Sequence, residues 1–332
     1  MRKWLMILSV FVLMVLAACG SDDSETETGN EDSESNSGRT VTIEDATGEK
    51  TIEGVPEDIV ALEWYNAEQL LSLGIQPAGV PNIDGFNSWM NIEEELADSV
   101  EDVGTRQEPN LEAISRMDPD LIIAAQFRHE QIIDRLEDIA PVVMFAPYSE
   151  EGSVDLYGEL MNEFETIAEI TDKEQEAVQS MEDLNDFYEE QRQRLADAGL
   201  EGTKYIATMA FSSQNSPVLR LYTDTSYPAA VMEELGFENA YQPDEIEPYG
   251  FTEVGVETLQ NFEEEDLQFL AIVQEDDNIF EGQLQGNAVW ENLSFVQEGN
   301  THFLPGDTPV IGGVSSAKAL AEQIVDTMLN DA

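Results

Sequence analysis

The sequence predicts an α/β protein of two lobes joined by one long helix. Three observations predict it. Apolar strands alternate with amphipathic helices up to about residue 150, the strand signal then disappears over residues 154–198, and the alternation returns beyond Gly199. From Thr40 onward roughly 290 residues remain, enough for two domains of ordinary size.

The elements follow in order. Residues 59–62 read as a buried strand, 67–73 as a helix stopped by Gly74, and 77–80 as the next strand. Residues 111–117 read as a helix with Asn110 as N-cap behind Pro109, 121–125 as a strand, 130–139 as a helix and 142–145 as a strand. Such alternation implies a parallel sheet covered on both faces, the first lobe, over residues 40–171. Two helical stretches then meet near Thr171 and Asp172, a candidate N-cap. In the second, Ala177, Met181, Leu184, Tyr188 and Leu195 share one helical face. A helix over residues 172–199 would span roughly 40 Å, long for a connection inside one domain and suited to a rod between lobes. The second lobe, 200–332, carries strand signals at 205–210, 218–222, 269–273 and 302–304. Its helix signals lie at 228–235, 256–262 and 315–329.

The N-terminus reads MRKWLMILSVFVLMVLAAC: a basic start, an apolar run and a small-residue cleavage site ending at Cys19. The apolar run is short for a membrane span, and a single cysteine excludes internal disulfides. L-A-A-C resembles a bacterial lipobox, implying cleavage before Cys19 and acylation there; an ordinary secreted protein with a chance cysteine is the alternative. Two or three acyl chains would anchor stably where one would not. Residues 20–39 hold seven acids among Ser, Thr and Gly with no large apolar residue, and read as a disordered acidic tether.

Lys and Arg number 14 against 70 Asp and Glu, a formal net charge of -56. Nucleic acid and anionic membrane surfaces are therefore excluded as partners, leaving a lipid anchor as the only membrane contact. Self-repulsion of this size suggests saline or alkaline surroundings in which counterions screen the surface; lineage-wide drift in composition is the competing explanation. Only two histidines are present, so a His-rich metal site cannot be built. No G-x-S-x-G and no phosphate-cradling glycine loop occurs, and paired acids carry little information in so acidic a chain. A non-enzymatic protein without cofactor or resident metal follows.

Against that background, GTRQEPNLEAISRMDPDLIIAAQFRH places three arginines in 26 residues, with no lysine. Arginine rather than lysine suggests planar, bidentate recognition of oxygen-rich anions. Arg106 and Arg128 each follow a predicted strand, where ligands bind in open α/β sheets. Arg116 lies near the end of the helix at 111–117, where a cation suits the helix dipole, and is read as structural.

The lipobox and tether, with V-A-L-E-W-Y (60–65), G-T-R-Q-E-P-N-L-E-A-I (104–114), D-P-D-L-I-I (118–123), Q-F-R-H (126–129), L-R-L-Y-T-D-T-S-Y (219–227), V-E-T-L (256–259), W-E-N-L (290–293) and I-G-G-V-S-S-A (311–317), resemble the iron-siderophore substrate-binding proteins of ABC importers. The resemblance implies two Rossmann-like lobes joined by a single long helix, the class III binding-protein fold. It also implies a ligand held between the lobes, with iron held by the chelator. It implies ligand contact for Arg106 and Arg128, and docking of Glu112 and Glu257 to two permease subunits; helix-dipole complementation is the plainer role for those glutamates. Arg220 and Tyr222 alternate along one strand face, and with Tyr227 mark the corresponding edge of the second lobe; an edge strand with a polar face is the plainer reading. Trp64 and Tyr65 follow a strand and are candidates to flank the ligand, against core packing for Trp64. Tyr249 sits in a Pro- and acid-rich loop. The last cleft loop, PGDTPVIGG, carries no arginine or tryptophan, a departure that favours a mixed citrate-hydroxamate chelate over a fully carboxylate one. The expected protein is a lipid-anchored, extracytoplasmic monomer on a Gram-positive surface. A cobalamin or haem binder of the same fold is the alternative; a hydrolytic or an adhesive lipoprotein lacks positive support.

Overall fold

The computed structural model describes residues 38–330 apart from Glu263 and Glu265. The signal sequence, Cys19 and residues 20–37 of the expected tether lie outside the described residues.

The first lobe opens with a hairpin, β1 (Thr40–Asp45) and β2 (Gly48–Glu53), absent from the sequence reading. Its turn is closed by the Asp45 side chain, which accepts from the Thr47 backbone at 2.8 Å and hydroxyl at 2.7 Å. There follow β3 (Ile59–Ala61), α1 (Trp64–Ser72), β4 (Gly79–Val80), α2 (Ile83–Trp89), β5 (Glu101–Asp102), α3 (Leu111–Met117), β6 (Leu121–Ala125), α4 (Gln126–His129), α5 (Ile133–Glu137) and β7 (Val142–Phe145). The strands form one sheet in the order β5-β4-β3-β6-β7, parallel throughout. Every residue of β3, β6 and β7 is buried, as continuous apolar strands of a covered parallel sheet must be. Asn110 caps α3, its side chain accepting from the Ala113 amide at 3.1 Å.

Two helices follow in the chain between the two sheets, α6 (Leu156–Ile170) and α7 (Glu174–Asp197). Asp172 adopts a left-handed φ of 59°, so it turns the chain rather than capping α7, and Lys173 takes the cap position without a side-chain bond. Arg39 is docked here and is not free tether. Its guanidinium donates to the carbonyls of Glu169 (2.6 Å) and Ile170 (3.2 Å) at the end of α6, and pairs with Asp172 at 3.2 Å. A cation at a helix C-terminus suits the exposed carbonyls and dipole.

The second lobe contains β8 (Lys204–Ser213), β9 (Ser216–Tyr222), α8 (Tyr227–Glu234), β10 (Glu238–Asn239), β11 (Phe251–Val254), β12 (Gln268–Val273), α9 (Ala288–Glu291), α10 (Ser294–Glu298), β13 (Thr301–Pro305) and α11 (Val314–Asn330). Its sheet runs β11-β9-β8-β12-β13, with β10 beside the start of β8. Unlike the first sheet it is mixed: β9 pairs antiparallel with both β8 and β11. Alternation of strand and helix hid this, because β8 turns directly into β9 through Gln214 and Asn215, both left-handed.

One apolar cluster runs from Ile59 and Leu121 in the first sheet through Phe164 of α6 and Tyr188 of α7 to Val231 of α8 and Ile324 of α11. Each lobe adds a private cluster, around Leu62 and Ile122 in the first and around Phe269, Trp290 and Phe295 in the second. A shared core of this kind joins the lobes through packing rather than through a bare linker.

Candidate functional site

The chain after β3 carries an acid where the surrounding residues are apolar. Glu63 precedes α1 and is 1% exposed. Burying a carboxylate demands compensation, and two arginines supply it. Arg128, in α4 just past the carboxyl end of β6, pairs through its Nε with Glu63 Oε1, and Arg106 brings a guanidinium nitrogen to 3.6 Å from Oε2. Trp64 completes the arrangement, its ring lying 3.7 Å beneath the Arg106 guanidinium while its indole N–H donates to the Pro81 carbonyl at 2.8 Å. Burial pushes the Glu63 carboxyl up to about 7 against the opposing pull of both arginines.

His129 ties the two arginine loops together. Its Nδ1 accepts from the Ala125 amide at 3.0 Å, so Nε2 carries the proton and donates to the Arg106 carbonyl at 2.9 Å. Burial lowers its pKa, keeping the ring neutral in this role. The histidine thus holds the backbone of Arg106 against the end of β6, one residue from Arg128.

An aromatic path leads away from the arginines. Phe127 packs edge-on against Tyr148 (4.9 Å), which follows β7, and Tyr148 packs edge-on against Tyr249 (4.9 Å) of the second lobe. Tyr249 stacks on Phe251 at 6.3 Å, and Arg220 lies between Phe251 (4.7 Å) and Phe211 (4.8 Å) while its Nε meets Glu253 at 2.9 Å. Phe127 and Tyr249 are exposed. Between the lobes the structure therefore sets a line of cation, aromatic rings and cation.

Trp64, Arg106, Arg128, Arg220 and Tyr249 all lie on this line. Tyr65 is 3% exposed and turns inward toward Glu163, whose carboxyl burial holds well above the usual carboxylate range. Tyr222 is 5% exposed at the end of β9, an inner strand of the sheet, two residues from Arg220. Tyr227 departs from expectation: it is fully buried, packs on Tyr157 at 5.4 Å and donates its hydroxyl to the Gly313 carbonyl at 2.6 Å, so it belongs to the core. Glu112 and Glu257 are exposed, one on each lobe, and Arg116 is exposed at the end of α3. Glu257 stands on a 3-10 turn, Val256–Asn261, instead of the α-helix expected there.

Sequence reasoning missed Glu63, His129, Phe127 and Tyr148. A signal for the first existed, since Glu63 is the one acid in the run IVALEWYNA. A further buried glutamate, Glu68, seals the lobe seam: it accepts from the amides of Gly313, Ser315 (2.9 Å) and Ser316 (3.2 Å) where α11 begins. Among the described residues no group of three or more His, Cys, Asp or Glu could hold a metal ion, and no helix is long and apolar enough to cross a membrane.

Two α/β lobes with arginines and aromatic rings gathered where strands of the first end define a two-lobed solute-binding protein. The chain belongs to the periplasmic binding protein family, which it matches over residues 59–308. This is a family of binding proteins, not of enzymes. Over 332 residues the chain is 29% identical to the Fe(3+)-citrate-binding protein YfmC of Bacillus subtilis, covering 99% of this chain and 98% of that one. It is 27% identical over 336 residues to the probable siderophore-binding lipoprotein YfiY of the same organism, covering 98% of each. Among solved structures it resembles the siderophore-binding protein FhuD of Vibrio cholerae bound to Fe3+–Desferal, with a TM-score of 0.73 and 30% identity over 83% of this chain and 99% of that one. The chain shares with this structural neighbour the class III two-lobed α/β architecture.

Proposed function

We propose that this chain captures a ferric siderophore between its lobes and hands it to an ABC permease for iron uptake. The observation that carries the reading is the convergence of Arg106 and Arg128 on one buried carboxylate, beside an aromatic path that passes from lobe to lobe. Guanidinium groups held in this way suit carboxylate or hydroxamate oxygens, and the rings suit the organic backbone of a chelate. The iron stays with the chelator, so the protein needs neither cofactor nor metal ligands of its own.

In this reading Arg106 and Arg128 meet the charge of the ligand, Trp64, Phe127, Tyr148 and Tyr249 cover its apolar parts, and Arg220 approaches from the second lobe. Tyr65 and Tyr222 back the site from within their lobes. The absence of a basic residue in PGDTPVIGG favours a citrate-hydroxamate chelate, with ferric citrate next. Glu112 and Glu257, exposed on opposite lobes, would enter basic pockets on a permease dimer. The lobes are residues 40–171 and 200–332, joined by the helix at 172–199. As with its lipoprotein and periplasmic relatives, the place of work is outside the cytoplasm; we assign a lipid anchor at Cys19, a monomeric state and a Gram-positive surface. Cobalamin or haem is less well supported, because the relatives named above are described as ferric-citrate-binding or siderophore-binding proteins.

Equilibrium dialysis of the chain from Cys19 onward against radio-iron chelates of citrate, citrate-hydroxamate and trihydroxamate type, and against cobalamin and haem, tests the proposal. Retention of at least one is expected. Retention of cobalamin or haem, with every ferric chelate excluded, would overturn it.

A further inference from the structure

Glu63 is not needed for a site that merely attracts anions, since it cancels part of the charge that the two arginines provide. Its carboxylate is buried and engaged by Arg128 and Arg106, the groups on which an anionic ligand would have to land. A second carboxylate set against the same guanidinium groups repels the Glu63 carboxylate and raises its pKa further, which favours uptake of a proton. We infer that Glu63 is a specificity-determining residue that ties capture of an anionic chelate to uptake of one proton, so that the site takes carboxylate-bearing chelates in exchange for the charge of Glu63. The inference rests on the ferric-siderophore reading above and names the chemistry that reading leaves open.

The proton balance is simple: the Glu63 carboxylate takes one proton from a solvent or buffer acid, forming its O–H bond as the acid's bond to that proton breaks, the guanidinium groups turn to the carboxylate of the ligand, and no other covalent bond changes. The titratable and charged groups around Glu63 are Arg106 from the loop after β5, Arg128 from α4, Tyr65 from its own helix, Tyr148 after β7, and Glu163 of α6, which acts on both tyrosines. Burial raises both tyrosines, which stay neutral around pH 7, and holds the Glu163 carboxyl well above the usual carboxylate range, while His129 is neutral and committed to the Arg106 carbonyl. Glu63, lifted by burial to about 7, is the carboxyl of this cluster that both arginines engage. Glu68 also titrates there but faces the amides at the start of α11 with no arginine in contact, so it is distinguishable by mutation.

The chain from Cys19 onward is titrated calorimetrically with gallium citrate, and with gallium Desferal, whose three hydroxamates cancel the charge of the metal. Two buffers of different ionisation enthalpy at each pH read the proton count. With citrate, uptake approaching one proton at pH 8 and falling toward zero at pH 5.5 is expected, and with Desferal none at either pH. The ratio of citrate affinities between wild type and Glu63→Gln, in which the ionisation of the chelate cancels, should change by up to about tenfold per pH unit above pH 7. If Glu63→Gln does not fold, infrared difference spectra of wild type carrying 13C-labelled glutamate should show a new protonated-carboxyl band on adding gallium citrate at pH 8. Citrate binding without proton uptake, an unchanged ratio across pH, no such band, or binding of Desferal alone would each refute the role of Glu63 while leaving a siderophore-binding protein. Binding of neither chelate nor of any other in the dialysis panel would overturn both.

Discussion

Raising the pH from 5 to 8 is expected to destabilise the seam between the lobes through Glu68. The residue is fully buried, and burial lifts its carboxyl from 4.5 to about 7 despite the backbone amides of Gly313 and Ser316 that favour the charged form. A carboxyl raised in the folded state contributes stability that is complete below its unfolded value near 4.5 and is lost as the pH rises through about 7. At about 1.36 kcal/mol per pH unit the loss comes to roughly 3 kcal/mol, most of it between pH 5 and 7. Glu68→Gln keeps an acceptor for the start of α11 but cannot ionise. Urea unfolding of wild type and variant at fixed ionic strength, from pH 5 to 8, isolates the residue, because Glu63, Glu163 and the acidic surface cancel in the difference. The wild type should lose about 2–3 kcal/mol relative to the variant across that range. Parallel curves would refute the reasoning, since they would mean that Glu68 titrates alike in folded and unfolded chains.

Three further outcomes are expected. His129→Ala, which frees the Arg106 carbonyl and the Ala125 amide, should weaken ferric-chelate binding by about tenfold or more while costing about 1–3 kcal/mol of stability, read by titration and by melting. Glu112→Lys with Glu257→Lys should leave chelate affinity unchanged and abolish iron uptake by cells carrying the matching permease; unchanged uptake would remove both residues from docking. Melting temperature should rise with salt as counterions screen the net charge of -56, and a flat response between low and high salt would remove the saline-habitat explanation.

Local signals carried much of the fold. The bounds of α3, β6 and β7 could be read directly, because Asn110 marks a cap and the strands are unbroken apolar runs. Elements whose stability comes from distant partners were not legible. The β1–β2 hairpin offers only Val41, Ile43 and Ile52 among polar residues, and its inner face is defined by α6 and β7, far along the chain. Residues 130–139 split into a 3-10 turn and the short α5, although their spacing reads as one helix. The antiparallel part of the second sheet depends on pairings such as Arg220 with Met209, which alternation does not encode.

The site shows the same division. Arg106 and Arg128 stood out because arginine is scarce in this chain. Glu63 was hidden by abundance: among 70 acids, a buried one looks like any other until the Arg106 loop and α4 close on it. His129 looked like an isolated histidine because both of its partners are backbone groups, one of them 23 positions away. Tyr227 misled for the opposite reason, since its position after a strand resembles a cleft position while α8 and Gly313 bury it.

The most direct test of the central claim is fluorescence quenching of the chain from Cys19 onward by ferric chelates, because Trp64 lies against the Arg106 guanidinium and reports on the site itself. The account predicts saturable quenching by a ferric citrate or citrate-hydroxamate chelate, reduced in Trp64→Phe and lost when Arg106→Ala and Arg128→Ala are combined in a folded variant. Binding that survives the loss of both arginines, or no quenching by any ferric chelate, would contradict it.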